Sequence, residues 1–164
     1  MKTLNPDHIK AVLDLINQGP YFRLLSMKVS EIGKGFAKVE MDIENKHLNP
    51  FGGVHGGVYS SLIDTAAYCA VYCDVEEDAG LISLDVKDDN LAPVKEGHLV
   101  VEGKRIKAGK SICIADAAVI DEPLPKVKTV IWGGVHQFRF LHTRGLPGGE
   151  IMAHDTGNAY RKRG

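Results

Sequence analysis

The sequence has little that marks a special environment. Its three cysteines, Cys69, Cys73 and Cys113, are an odd number, and the opening "MKTLNPDHIK" lacks the apolar core of a secretory signal, which argues against a disulfide framework. No apolar run reaches the length needed to span a bilayer. The formal net charge of −1 gives no excess of either sign for nucleic acid or a membrane surface to read. Cys69 and Cys73 stand four apart, but no third and fourth ligand follow at a zinc-like spacing. They read as small buried thiols, and no metal is expected. A chain of 164 residues without these features is expected to be one cytoplasmic domain with its own core.

What is present is a clear succession of patterns. Asn5-Pro6-Asp7 gives a cap, a proline at the first helical position and an acid at the positive end of the dipole; Ile9, Val12, Leu13 and Ile16 follow at helical spacing. Gly19-Pro20 ends that helix. In "AKVEMDIE" (37–44) apolar and charged residues alternate strictly, a strand with one wet face. "LISLDV" (81–86) places Ile82, Leu84 and Val86 on one face and Ser83 and Asp85 on the other. "HLVVEGKRIK" (98–107) and "SICIADAAVI" (111–120) flank a short glycine turn and read as a hairpin. "VKTVIWGGVHQFRF" (127–140) is a last strand, with a bulge or close approach expected at Gly133-Gly134. A run of strands around one long helix predicts an α+β domain, an antiparallel sheet packed on that helix. The hairpin strand 111–120 is apolar on both faces, so its outer face calls for a second subunit. The Gly-rich stretch 142–164 is expected to be a mobile tail.

The long helix carries the chemistry. It begins near His55, after Gly52 and Gly53, and advancing 100° per residue puts Val58, Leu62, Thr65, Ala66, Cys69 and Cys73 on one stripe. Asp64 falls nearly opposite, beside Gly57, Ser60, Ser61 and Tyr68. A carboxylate on a helix with so little polar surface either bonds Ser60, Ser61 or Tyr68, or is used in a reaction. His55-Gly56-Gly57 is either a tight turn or an approachable helix N-terminus, whose free N–H groups and dipole polarise a carbonyl and hold the oxyanion formed on attack. Gly57 and Asp64 lie roughly 10 Å apart along such a helix, beyond the roughly 3 Å that acid–base work requires. A two-fold dimer with antiparallel helices would bring Asp64 of one chain to Gly56 of the other.

"LNPFGGVHGGVYSSLID" closely resembles the signature of the hotdog-fold acyl-CoA thioesterases, in the phenylacetate-pathway (PaaI-like) branch: Asn49, a glycine loop, His55-Gly56-Gly57, and Asp64 nine residues after the histidine. The resemblance runs in element order from about Tyr21 to Phe140. It implies a curved antiparallel sheet wrapped around a long central helix, in residues 21–141, with 1–20 an added N-terminal helix. It implies dimers or dimers of dimers with sites at subunit interfaces, and hydrolysis of an acyl thioester to acid and CoA. Gly56, with Gly57, would polarise the carbonyl; the partner chain's Asp64 would act as general base or nucleophile; Asn49 and His55 would shape the loop; Ser83 would help place the water. Arg105, Lys107 and Lys110, about the hairpin turn, would meet the CoA phosphates. CoA is part of the substrate, so no separate cofactor is implied, and neither nucleic acid nor membrane is an expected partner.

The sequence departs from the family after Val86. Where relatives continue with an apolar-aromatic run ending Leu-Arg-Pro, this chain reads "KDDNLAPV" (87–94), with Asp88 and Asn90 at bulky positions and Ala92 for the arginine. Asp88 and Asp89 read as a solvated strand end, or as further carboxylates near the site. Trp132 and Tyr68 read as core, and His136 and His142 have no partner pattern. The competing reading is an acyl-CoA sensor that binds on the same scaffold without turnover.

Overall fold

The computed structural model describes residues 3–74, 79–90, 93–109, 112–121, 129–142 and 160–161; Lys110 and Ala92 lie outside them, as do the side chains of the last long strand, with Trp132, His136 and His142. The chain opens on β1 (Thr3–Leu4) and α1 (Pro6–Asn17), where the Asn5 side chain accepts from the Asp7 N–H as a cap. Gly19-Pro20 ends α1 as expected, but Pro20 also starts a short helix, α2 (Pro20–Leu25). Next come β2 (Met27–Gly33) and β3 (Phe36–Asp42), paired antiparallel. The sequence pattern does not announce β2. A bulge between Val29 and Glu31 shifts its alternation, so that Met27, Val29 and Ile32 are the buried residues.

The central helix α3 runs from Gly56 to Tyr72. After it come β4 (Ala79–Asn90), β5 (His98–Ala108), β6 (Ile112–Asp121) and β7 (Thr129–His142), then a last two-residue strand, β8 (Tyr160–Arg161). One six-stranded sheet has the order β2-β3-β5-β6-β7-β4, all antiparallel; β1 and β8 form a separate ribbon. The tail expected to be mobile thus supplies one strand, pairing Tyr160 with Leu4.

The sheet lays its inner face on α3. Ala37, Val39, Met41, Leu99, Val101, Cys113, Ala115 and Val119 are buried there against Leu62, Ile63, Ala66, Ala67 and Ala70. All three cysteines are buried and free, and no group of potential metal ligands occurs among the described residues. The closest approach is at Gly103 on β5. A Cβ there would stand 2.2 Å from the Ala66 carbonyl oxygen, so only glycine lets helix and sheet meet. In β7 the extra residue is Ile131, between the pairs Val119–Trp132 and Ile120–Val130. Gly133 and Gly134, where the bulge was expected, stay in register with Ala118 and Ala117. The outer face leaves Ile82, Leu84, Ile106 and Ile112 exposed.

Candidate active site

The loop before α3 is held from two sides. The Asn49 side-chain oxygen accepts from the N–H groups of Phe51 and Gly53, at 2.8 and 3.3 Å, and the Asn49 N–H donates to the Gly53 carbonyl at 2.7 Å. Gly52 carries the positive φ of +80° this turn requires. His47, fully buried, accepts from the Glu44 N–H on Nδ1 and donates from Nε2 to the Leu25 carbonyl. Its own carbonyl accepts from the His55 N–H at 2.8 Å, which fixes the residue that caps α3. Sequence reasoning missed His47, whose role comes from contacts on both sides of the loop.

His55 is that cap: its Nδ1 accepts from the Gly57 N–H at 2.9 Å. The Gly57 donor is therefore used within the loop. The Gly56 N–H has no acceptor among the described residues. The N-terminus of α3 thus offers the Gly56 donor to an incoming oxygen, reinforced by the helix dipole.

Asp64 is half-buried on the face of α3 turned to β4. Its Oδ1 accepts from the Ser83 hydroxyl at 2.8 Å, so the serine singled out on the strand does reach the aspartate. The alternation expected for 81–86 fails here, and a bulge explains it. The register passes from Ser83–Phe138 to Asp85–Gln137, leaving Leu84 unpaired. Ser83 before the bulge and Val86 and Asp88 after it all face the helix, while Ile82 and Leu84 face outward. Asp88 is not part of a solvated strand end: β4 continues to Asn90, and the half-buried Asp88 accepts from the Ser60 hydroxyl, while Asp89 is exposed.

Of these groups Ser60, Asp64 and Val86 line a cleft of about 560 Å³ between α1, α2, α3 and β4. Ile16, Tyr21, Phe22, Tyr68, Cys69 and Val86 give it apolar and aromatic walls; Ser60, Ser61, Asp64 and Thr65 form a polar strip along α3. The volume is in the range of pockets that enclose small organic ligands, roughly 300–1,000 Å³. Burial, reinforced by the neighbouring Cys69 and Asp64, pushes the Tyr68 phenol up to about 12. Burial likewise raises the Cys69 thiol to about 12, so both stay neutral at ordinary pH. Gly56 and Asp64 are eight residues apart on one helix, about 12 Å at 1.5 Å per residue, so a single chain does not bring them together.

The three cations about the β5–β6 turn separate. Arg105 continues the inward alternation of Leu99, Val101 and Gly103, and its guanidinium pairs with Asp74 just past the end of α3; the bulge that leaves Ile106 unpaired comes after it. Lys107 remains exposed at the strand end, and Lys110 lies outside the described residues.

This architecture and motif together define a hotdog-fold protein. The sequence profile of the thioesterase superfamily matches residues 51–128. The chain is 28% identical to the 1,4-dihydroxy-2-naphthoyl-CoA hydrolase of Listeria monocytogenes, over 60% of this chain and 80% of that protein. It is 26% identical to acyl-coenzyme A thioesterase 13 of Mus musculus, over 73% of this chain and 87% of that one. A crystal structure of a thioesterase from Haemophilus influenzae superposes with a TM-score of 0.75 at 20% identity, over 87% of this chain and 96% of the other. Over the matched residues the chain is similar to the thioesterase superfamily and resembles its PaaI-like members, and these likenesses indicate a thioester hydrolase.

Proposed function

We propose that the protein is an acyl-CoA thioesterase whose sites are shared between two copies of the chain. The observation that carries this reading is a Gly56 N–H without an acceptor among the described residues at the start of α3, together with Asp64 further along that helix, held by Ser83 of β4. The thioester carbonyl oxygen accepts from the Gly56 N–H, which stabilises the negative charge that develops on attack. The partner's Asp64 takes a proton from the attacking water as general base, or attacks the carbonyl itself to give an anhydride that water then opens. Either route ends in a carboxylic acid and the CoA thiol. Asn49 and His55 hold the loop that presents Gly56, and Ser83 holds the carboxylate.

The dimer has independent physical support. β4 is a twelve-residue strand at one edge of the sheet, and long open edges invite pairing. Ile82 and Leu84 on β4 and Ile112 on β6 leave apolar surface that a second copy would cover. Acyl groups enter the cleft lined by Tyr21, Phe22, Tyr68 and Val86. Lys107, with Lys110 from the same turn, meets the phosphates of CoA; Arg105 serves the fold through Asp74.

The test is Asp64→Asn, which keeps the shape and the Ser83 bond but neither takes a proton nor attacks. Turnover of acyl-CoA, followed by loss of the thioester, should fall roughly 10²–10⁴-fold with CoA affinity retained. Full activity in this variant would remove Asp64 from the mechanism. Binding of acyl-CoA by the unaltered protein without any turnover would point to a sensor.

A further inference from the structure

Two Ser–Asp pairs bridge α3 and β4, with the residue types exchanged. Asp64 on the helix takes Ser83 from the strand; Ser60, one turn earlier on the helix, gives its proton to Asp88 on the strand. The first pair belongs to the reaction proposed above. The second has no part in it, and Asp88 stands where the family pattern has a bulky side chain.

The second pair fixes the direction of one hydroxyl. Ser60 Oγ has two acceptors within reach, the Gly56 carbonyl at 3.3 Å and the Asp88 carboxylate. A hydroxyl has one proton, and it goes to the nearer acceptor, the Asp88 side chain. Ser60 lines the cleft and Asp88 lies outside the lining, so Ser60 turns its lone pairs, not its proton, toward the cleft. Ser61 behaves alike: its proton goes to the Gly57 carbonyl at 2.8 Å, so the 2.6 Å contact with Tyr21 is donated by the phenol. Thr65 and Tyr68 carry the other hydroxyls of the wall. Between Ser60 and Asp64 the polar strip therefore presents acceptors.

We propose that Asp88 is a positioning residue that sets Ser60 as a hydrogen-bond acceptor in the acyl cleft, so that the enzyme selects thioesters whose acyl group carries a hydroxyl. This rests on the thioesterase reading and names its substrate class. Ser60 and Asp64 are four residues apart, so the hydroxyl sits about 6 Å from the carbonyl along the helix direction. An unsubstituted alkyl group would cover the Ser60 lone pairs without replacing the water they lose, which is how a polar site rejects an apolar analogue.

The experiment compares kcat/KM for ω-hydroxyacyl-CoAs, from butanoyl to octanoyl, with the parent acyl-CoAs. The best hydroxylated substrate should exceed its parent about tenfold, the size of one net hydrogen bond. Ser60→Ala and Asp88→Ala should each bring that ratio to near one. A merely structural role would lower both substrates alike and leave the ratio intact. A ratio near one in the unaltered protein, or a ratio kept in either variant, overturns the proposal. Calorimetry on Asp64→Asn with the same pairs separates this inference from the hydrolysis reading. Equal Kd values for hydroxylated and parent compounds sink the selectivity whatever turnover shows. Tighter hydroxyacyl binding by about the same factor, with no turnover in the unaltered protein, sustains it and sinks hydrolysis.

Discussion

Replacing Ser83 by alanine is the sharpest probe of the catalytic geometry, because it takes from Asp64 a single 2.8 Å bond and nothing from the core. The carboxylate keeps its charge and its place on α3 but loses its tie to β4. A hydrogen bond to a charged group is worth about 1.5–3 kcal/mol. Ser83 is exposed and Asp64 only half-buried in the protomer, so the lower end applies. At about 1.4 kcal/mol per decade, kcat should fall about tenfold. KM should change little, since Ser83 acts on the carboxylate rather than on CoA. Thermal stability should fall by no more than about 1.5 kcal/mol, the worth of that one bond. The assay is steady-state loss of the thioester, with a thermal melt of the same sample. A kcat within twofold of the unaltered protein would refute the reasoning, as would a melting shift large enough to explain the lost activity. Asp64→Asn combined with Ser83→Ala should be no worse than Asp64→Asn alone, because Ser83 works through Asp64.

Three further outcomes are expected. Mixing Asp64→Asn chains with Gly56→Val chains, each inactive alone, should restore part of the activity in mixed dimers; confirmed mixed dimers without rescue would count against shared sites. Gly103→Ala should destabilise the fold by about 1–3 kcal/mol in urea unfolding, because the new Cβ meets the Ala66 backbone, which cannot swing aside; an unchanged midpoint would show that helix and sheet separate freely. Stability should also fall in alkali: burial raises Cys69 from 9.0 and Tyr68 from 10.0, both to about 12, so their neutral forms favour the folded state below the unfolded values. That contribution is lost as pH rises from about 9 toward 12, and a flat stability profile over this range would refute it.

Asn5-Pro6, the strict alternation of 37–44 and the glycine turn before 111–120 each carry their structure locally, through capping, pleat and turn chemistry, and they place α1, β3 and the β5–β6 hairpin. The motif from Asn49 to Asp64 was legible too, since a capped glycine N-terminus and a carboxylate nine residues after the histidine lie on one continuous helix. What the sequence hid depends on register. One unpaired residue at Leu84 flips β4, setting Ser83 before it and Asp88 after it on the same side of the strand. Another in β2, between Val29 and Glu31, puts Val29 and Ile32 on the same buried side. A bulge adds one residue to a period of two, and whether it forms is decided by the neighbouring strand. The sequence by itself therefore determined α1, β3, the β5–β6 hairpin and the motif from Asn49 to Asp64, because these rest on short-range chemistry. Only the tertiary structure decided which side chains of β4 and β2 face inward, because that parity is set by pairing between distant segments.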